Sequence, residues 1–327
     1  MVVAMHAELS PLHLFPWLRI SVPLFFIMTS YFLFRKIHCF PIAQQKQQIR
    51  NFILRNAKLY GFWFLVLLPF TLLYRKQAYF LQGAAVGLSV FLMDLLFRST
   101  FSSSWYITAS VVAVIMIWWL SRKEHGAAAC GIAVFAFIMA TLWSSYQSDI
   151  WSDSLLFRIL YGYARIFENP AVSFPIALIW ILIGKAFAEN RITASSNLVV
   201  LTAAMFSAIG LYLEWWFVRN LNGTYRNDSY FMLIPLCILL FAIVQKIPPF
   251  YIRSSRYLKQ LSTVIYTSHY SFLPVIRILL KKLLHFDSNM LVFSVTLFCC
   301  CLLYGLIKFI QHTWPNSKVS VLLKSAY

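Results

Sequence analysis

The amino-acid sequence predicts an all-α protein that crosses a membrane many times, and its composition is the first reason. Of the 327 residues, 61% are hydrophobic and only 12% are charged, whereas soluble domains average about 25% charged residues. The mean hydropathy is +0.72. Apolar stretches recur from one end of the chain to the other with short gaps. We therefore interpret residues 1–327 as a single integral-membrane domain.

Ten apolar stretches predict about ten transmembrane helices, because a membrane-spanning helix needs about 20 predominantly apolar residues. The first stretch is short, so the first helix is expected to be shortened. The predicted spans lie at residues 1–16, 20–36, 57–74, 105–121, 126–143, 172–188, 196–217, 230–245, 261–283 and 290–310.

The net charge of +18 would suit a nucleic-acid-binding protein, but the distribution of the basic residues favours a membrane topology. If the first span runs outward, most Lys and Arg residues fall on the inner side. Of the ten acidic residues, only Glu124 and Glu189 fall there. The positive-inside rule therefore predicts that both termini are cytoplasmic. We expect the basic excess to contact anionic lipid headgroups and no nucleic acid.

The cysteine pattern predicts neither a zinc site nor disulfide bonds. Cys39, Cys130 and Cys237 are isolated and Cys299–Cys301 are consecutive, which is not the paired spacing of zinc ligands. All lie in predicted spans or on the inner side, where cysteines act as small apolar residues. We therefore expect no metal cofactor.

Three segments between the predicted spans have a character of their own. Ala84–Phe97 is apolar but carries Asp94 and is followed by Arg98, so we interpret it as an interfacial or re-entrant helix. Residues 144–171 form a predicted outer loop whose aromatic and charged side chains suit sugar binding, although aromatic residues are common at any membrane interface. Residues 35–58 predict an amphipathic helix on the inner leaflet that leads directly into the third span.

The stretch Val22–Leu33 has the strongest functional signal in the chain. It is an apolar run that contains a polar Thr-Ser pair and is followed by Arg35 and Lys36, and His6 precedes it at a short distance. Polar groups inside a bilayer cost free energy, so they generally line a path or a reaction site. We therefore expect the functional site to lie near this stretch.

These residues resemble motifs of the membrane acyltransferase-3 family, the integral-membrane O-acetyltransferases of bacterial surface polysaccharides. Val22–Leu33 resembles the signature of the second helix, although Thr29 and Ser30 stand where Ser and Gly are usual. Further matches follow in chain order, and the resemblance covers nearly the whole chain. They are Arg50–Tyr60 at the entry to the third helix, Trp105-Tyr106 at the start of the fourth and Leu261–His269 in the ninth.

The resemblance implies transfer of an acyl group, with acetyl-CoA as the expected donor, to a hydroxyl of a cell-surface polysaccharide or its lipid-linked precursor. It implies a multi-pass protein of the bacterial cytoplasmic membrane whose partners are acyl-CoA, a surface glycan and membrane lipid, and it leaves a homo-oligomer open. One departure concerns the first helix. Family members carry Arg or Lys eleven positions before its histidine, whereas only five residues precede His6.

His6 is the predicted catalytic base, because an imidazole can accept a proton from a sugar hydroxyl near neutral pH and return it to a departing thiolate. The competing candidate is His13, which lies closer to the second span. Glu214, near the outer end of the seventh span, is the second catalytic candidate. It is expected either to orient a sugar hydroxyl or the His6 ring, or to form a structural ion pair.

The donor-binding candidates are cations on the predicted inner side and one aromatic residue. Arg35, Lys36, Arg55 and Lys58 are expected to bind the phosphates of acetyl-CoA, because Arg and Lys complement phosphate charge. Electrostatic anchoring to lipid is an equal alternative for these cations. Trp105 is expected either in the wall of the donor cavity or as an interfacial anchor.

The acceptor-binding candidates lie on two helices. Tyr266 and His269 are three residues apart and share one helix face, and Arg277 follows on roughly the same side. This face is expected to line the acceptor path, or else to form hydrogen bonds between helices. Ser30 is grouped with these residues, because a small side chain there permits close helix packing beside the site.

Two other functions remain open on the sequence alone. A transporter of a lipid-linked sugar or a small anion would use the same cations without chemistry, but the internal symmetry common in transporters is not apparent. A degenerate, non-catalytic homologue would agree with the short first helix and the Thr-Ser pair.

Overall fold

A computed structural model of the chain describes residues 1–9, 15–80, 83–101, 104–122, 125–147, 150, 152–192, 196–222, 228–248, 254–283, 285 and 288–327. The described residues form an all-helical structure, as predicted. The helices are α1 (Val2–His6), α2 (Phe15–Leu18), α3 (Ser21–Ile37), α4 (Ile42–Phe80), α5 (Ala84–Phe97), α6 (Ser104–Arg122), α7 (Gly126–Ser145), α8 (Leu155–Phe167), α9 (Phe174–Ala188), α10 (Asn197–Asn222), α11 (Leu233–Lys246), α12 (Ser255–Leu283), α13 (Asn289–Thr313) and α14 (Lys318–Leu323).

Six described helices are long and apolar enough to cross a membrane, or seven if one bent pair counts as a single span. The bent pair joins Leu155–Val172 to Phe174–Ala188 at an angle of 51°. The six helical spans are Pro16–Ile37, Ile42–Pro69, Ser104–Arg122, Gly126–Ser145, Asn197–Asn220 and Asn289–Thr313. The prediction of ten spans is therefore not confirmed for the described residues.

Four of the predicted spans differ from a single long apolar helix, and the one at 172–188 is α9 of the bent pair. Residues 1–16 contribute α1 and the start of α2, which have five and four residues. Helix α11 has 14 residues, which is shorter than a bilayer core requires. The predicted span at 261–283 lies within α12, a helix of 29 residues whose polar face lowers its overall hydropathy. The number of spans stays a prediction.

Helix α4 joins the predicted amphipathic segment to the third predicted span in one continuous helix of 39 residues. Ile49 and Phe52 are buried in the main hydrophobic core, while Arg55 and Lys58 are exposed. This pattern confirms a helix that begins at Ile42 within the cationic segment and leads directly into the apolar one.

The two predicted outer loops both contain helices. Helix α5 coincides with the predicted segment Ala84–Phe97. Helix α8 lies inside residues 144–171 and was not predicted. It begins where the hydroxyl of Ser154 accepts a hydrogen bond of 3.1 Å from the backbone N–H of Phe157, and it buries Leu160 and Ala164. Its apolar residues recur at helical spacing, so the pattern was present in the sequence.

Helices α3 and α9 pack closely because small residues meet at their contact. The hydroxyl of Ser30 donates a hydrogen bond of 2.5 Å to the carbonyl of Ile181. A Cβ atom on Gly184 would lie 2.7 Å from the Cβ atom of Ser30 and closer still to the carbonyl oxygen of Ile27. Absence of a side chain at Gly184 therefore permits the close approach.

The two ends of the chain adjoin opposite ends of α13. Ala7 packs with Leu273 of α12 and Val292 in the first turn of α13. Near the end of α13, Lys308 donates a hydrogen bond of 2.9 Å to the hydroxyl of Tyr327. The cytoplasmic location of both termini stays a prediction.

Candidate active site

A cavity of about 940 Å³ lies among residues that are far apart in the chain. It is bounded by the first residues of α3, α6 and α9, by α1, and by the middle of α12. The segment just before α11 closes another side. Some of the sequence-predicted site residues line this cavity and others lie away from it.

His6 and His269 lie next to each other in the cavity. Their ring centroids are 5.4 Å apart and the ring planes are inclined by 35°. His6 is exposed to the cavity space, whereas His269 is 1% exposed. Tyr270 packs edge-on against His6, with ring centroids 5.2 Å apart. The structure thus places the predicted base beside a predicted acceptor-binding residue.

A hydrogen bond determines which ring nitrogen of His269 carries the proton. Its Nδ1 atom lies 2.9 Å from the carbonyl oxygen of Ile265. A carbonyl oxygen can only accept, so Nδ1 is the donor, and Nε2 of the neutral ring is an acceptor. Nε2 is buried and has no hydrogen-bond partner among the described residues.

Aromatic side chains connect α3, α6 and α12 beside the histidines. The hydroxyls of Tyr106 and Thr29 are 3.0 Å apart and hydrogen-bonded. The ring of Tyr106 packs against Tyr266 at a centroid distance of 5.3 Å. Tyr266 and Trp105 both line the cavity, so two further sequence candidates reach the site. The packed rings stabilise this side of the cavity.

An ion pair lies in another wall of the cavity. Nη1 of Arg19 is 2.6 Å from Oδ1 of Asp228, and the two side chains are 14% and 15% exposed. Nδ2 of Asn169 donates a hydrogen bond of 2.9 Å to Oδ2 of Asp228. The backbone N–H of Asp228 donates to the hydroxyl of Ser144 at 3.0 Å. These bonds hold a polar wall in place within an otherwise largely apolar helical bundle.

A second pair of opposite charges lines the cavity. Nη2 of Arg277 is 3.6 Å from Oε2 of Glu8. Arg277 also donates to the side chain of Asn289 at 3.4 Å. The sequence placed Arg277 on the same side of its helix as His269, and both residues do line this cavity.

Glu214 is engaged elsewhere and is not among the described residues that line the cavity. Its Oε1 atom accepts hydrogen bonds from the hydroxyl of Tyr146 at 2.6 Å and from the backbone N–H of Phe231 at 2.7 Å. Its Oε2 atom accepts from the backbone N–H of Met232 at 2.8 Å. The geometry favours a structural role, in which Glu214 fastens the segment that precedes α11.

Ser30 also lies away from the cavity. Its hydroxyl is buried in the contact with α9 described above. This agrees with the expected role in close helix packing, while direct contact with a substrate stays a prediction. His13, the competing candidate for the base, lies outside the described residues.

The four predicted donor-binding cations lie away from the cavity, on the described parts of α3 and α4. Arg35 donates a hydrogen bond to the hydroxyl of Tyr31, and Lys36 donates one of 2.9 Å to the side chain of Gln48. From Val22 at the cavity to Arg35, α3 rises by about 20 Å. A donor that contacts both places must therefore be long and extended.

Arg55 has a further cation close by. Partial burial lowers the pKa of Lys259, and the positive charge of Arg55 lowers it further. Lys58 is exposed on the same part of α4.

Within the described residues no cluster of three or more His, Cys, Asp or Glu side chains suits a metal ion.

Three residues of the polar wall are not among the sequence-predicted site candidates. They are Arg19, Asn169 and Asp228. A signal existed for two of them, because Arg19 directly precedes the second predicted span and Asp228 lies two residues before the eighth. Charged residues on the same predicted side of the membrane can form ion pairs, but a single sequence does not show which residues pair.

Comparison with known proteins shows the family of this chain. The family model described as an acyltransferase domain, that of the acyltransferase-3 family, matches residues 1–307. The chain therefore belongs to the acyltransferase-3 family.

The curated relatives of this chain are named as amino-acid racemases, not as acyltransferases. An amino-acid racemase of Enterococcus faecalis is 20% identical over 308 residues, which cover 93% of this chain and 42% of the relative. A serine/alanine racemase of Enterococcus gallinarum is 22% identical over 350 residues, which cover 100% of this chain and 47% of the relative. The chain thus spans less than half the length of these relatives. No solved structure matches it.

Proposed function

We propose that this chain transfers an acetyl group from acetyl-CoA to a hydroxyl of a cell-surface polysaccharide or its lipid-linked precursor. Membership of the acyltransferase-3 family supports acyl transfer as the reaction class. The observation that carries the proposal is the position of His6, which faces a cavity large enough for parts of two substrates. A second imidazole lies beside it.

In the proposed reaction His6 acts as the general base. Its unprotonated ring nitrogen takes the proton of the acceptor hydroxyl, and the hydroxyl oxygen attacks the carbonyl carbon of the thioester. The carbon–sulfur bond then breaks, and the imidazolium returns the proton to the departing thiolate. The imidazole is regenerated, so the step needs no metal and no further reactant.

The donor is proposed to enter from the end of the bundle that carries Arg55, Lys58 and Lys259. Arg55 and Lys259 lie close enough for their charges to interact, and paired cations complement the phosphates of CoA. Along α12, ten residues separate Lys259 from His269, a rise of about 15 Å. The extended arm of CoA would follow this direction and bring the thioester to His6. Arg35 and Lys36 are proposed to contribute to the attraction of the anionic donor.

The acceptor is proposed to bind against the polar wall of Arg19, Asn169 and Asp228. Carboxylate, amide and guanidinium groups together provide both acceptors and donors for sugar hydroxyls. The rings of Tyr266 and Trp105 would contact the apolar face of the sugar. In this arrangement acceptor and donor approach His6 from different sides of the cavity.

The proposed setting is the bacterial cytoplasmic membrane, with the cationic helix ends on the inner side. Anionic lipid headgroups would contact the exposed cations of α4. A homo-oligomer is compatible with this arrangement, because every group used above belongs to one chain.

The proposal is tested by mass spectrometry of the surface glycan from cells with and without this gene. We expect a mass difference of one acetyl unit, which His6→Ala abolishes at normal protein levels. His312→Ala is the matched control, because His312 is exposed near the end of α13 and outside the cavity. Unchanged acetylation in the His6→Ala cells would contradict the assignment of the base, and an unmodified glycan in all strains would contradict the reaction.

A second candidate function follows from the names of the relatives. Because they are racemases of amino acids, we propose as an alternative that the cavity binds a small amino acid. Its ammonium and carboxylate groups would pair with Asp228 and Arg19. The racemase activity itself is not proposed, because more than half of each relative lies outside the aligned region. Stabilisation of the purified protein against heating by L-serine, and none by acetyl-CoA, would favour this alternative.

A further inference from the structure

We propose that His269 is a positioning residue, which fixes the proton of His6 on one ring nitrogen and leaves the other nitrogen free to act as the base. This inference rests on the proposed function only for its effect on turnover. Its structural part concerns the tautomer of His6 and can be tested without any substrate.

The first observation is that His269 has an acceptor atom without a partner. The bond from Nδ1 to Ile265 leaves Nε2 with its lone pair. Nε2 is buried and has no hydrogen-bond partner in the described part of the chain. Buried polar atoms are nearly always hydrogen-bonded, because an unpaired one loses its bond to water and gains nothing. A donor is therefore expected to reach this atom in the working protein.

The second observation is the identity of the neighbour. Of the rings that contact His269, His6 is nearest at 5.4 Å, followed by Tyr266 at 6.1 Å and Tyr270 at 6.4 Å. His6 is the last residue of α1 and is exposed to the cavity, so its ring has room to turn. Catalytic hydrogen bonds are often long in unliganded structures and shorten when substrate binds.

The chemistry follows from this bond. One ring nitrogen of His6 donates its proton to Nε2 of His269, which fixes the tautomer of His6. The other nitrogen keeps its lone pair and accepts the proton of the acceptor hydroxyl. As His6 becomes positively charged, its bond to the neutral acceptor His269 strengthens and stabilises the imidazolium. The proton then passes from His6 to the thiolate, and His269 ends the cycle unchanged.

Two substitutions separate positioning from simple packing. His269→Asn keeps an amide N–H near the carbonyl of Ile265 but is too short to reach His6, so we expect turnover to fall by roughly 100-fold. The KM for acetyl-CoA should not change. His269→Gln places a carboxamide oxygen near the position of Nε2 and should retain most of the turnover. Ser268→Ala is the matched control on α12, because its hydroxyl bonds to the carbonyl of Val264 and not to a cavity residue.

The second measurement is NMR of the histidine ring nitrogens in the full-length protein in detergent, with His6→Gln used to assign the signals of His6. We expect a single tautomer of His6 in the wild type and in His269→Gln, and a mixture of both in His269→Asn. A mixture in the wild type would overturn the inference whether or not the protein transfers an acyl group. Turnover of His269→Asn equal to that of the wild type would also overturn it. If the wild type shows a single tautomer of His6 but transfers no acyl group, only the proposed function is contradicted.

Discussion

At the scale of single residues, the account depends on how an imidazole can work inside a largely apolar bundle. His6 is exposed to a cavity that also contains charged groups. Substrates that enter the cavity can therefore reach its ring. Arg19 and Asp228 are paired at 2.6 Å, so they add polarity with no net charge. Paired charges cost less than isolated ones at such a depth.

Glu214 gives the first prediction at this scale. Its two carboxylate oxygens accept three hydrogen bonds, two of them from the backbone N–H groups of Phe231 and Met232. In Glu214→Gln an amide N–H replaces one of the oxygens and faces a backbone donor. We expect the free energy of unfolding to fall by about 1–3 kcal/mol, measured by thermal unfolding of the detergent-solubilised protein.

The control for this change is Asp153→Asn, since Asp153 is exposed in the turn before α8. It should leave the unfolding temperature unchanged. If Glu214→Gln unfolds at the wild-type temperature but has lost acyl transfer, Glu214 belongs to the catalytic machinery and the structural interpretation is wrong.

Site residues could be predicted where the local sequence marks them, but contacts between distant segments could not. His6, Trp105, Tyr266 and His269 are polar or aromatic residues in apolar stretches or resemble family motifs, and all of them line the cavity. The pairing of His6 with His269 joins distant segments, and a single sequence contains no information on such contacts. The same holds for Arg19 with Asp228. Glu214 lies eight residues before the end of α10, which continues to Asn222 beyond the predicted span. Its backbone partners depend on the packing of α10 against α11.

At the scale of helices, the contact between α3 and α9 positions the cavity. The first turns of α3 and α9 both line it, so the distance between these helices sets its width. Ser30 and Gly184 allow their backbones to approach. Any added volume at this contact must move one helix relative to the other.

Gly184 therefore gives a prediction about the fold. In Gly184→Ala the new methyl group would lie 2.7 Å from the Cβ atom of Ser30, and both atoms belong to helices that cannot yield locally. We expect a loss of about 1–3 kcal/mol in the free energy of unfolding, measured by thermal unfolding in detergent.

Gly131→Ala on α7 is the matched control, because a Cβ atom there would meet nothing within 4 Å. This control should be neutral or slightly stabilising, since alanine favours the helix more than glycine does. Equal stability of the two variants would show that α3 and α9 do not pack as closely as described.

The helices agree with the prediction where apolar residues recur over a long segment, and they differ from it where polar residues interrupt that pattern. The segment leading from residue 42 into the third span is one helix, as the pattern indicated. Helix α8 differs from the predicted loop, because the composition of its segment is typical of a loop at a membrane interface whereas its apolar residues have helical spacing. Helix α12 was predicted as an ordinary span, but its polar face lowers its hydropathy.

At the scale of the whole molecule, the charges and the cavity lie at different places along the bundle. Arg35 of α3 is about 20 Å from the cavity along the helix axis. Helices α3, α4 and α12 run between these two places, with Tyr106 and Tyr266 in the intervening wall. A long anionic donor fits this separation better than a small anion does. The proposal of an extended acyl-CoA therefore depends on the overall architecture as well as on His6.

The central claim is that His6 transfers a proton during acyl transfer within this cavity. The most direct measurement uses the purified protein in lipid vesicles with acetyl-CoA and the isolated surface glycan, and follows the release of free CoA thiol together with acetylation of the glycan. The wild type and His312→Gln are predicted to release CoA in step with acetylation, and His6→Gln to be slower by about 100-fold or more. Release and acetylation at the wild-type rate in His6→Gln would contradict the account.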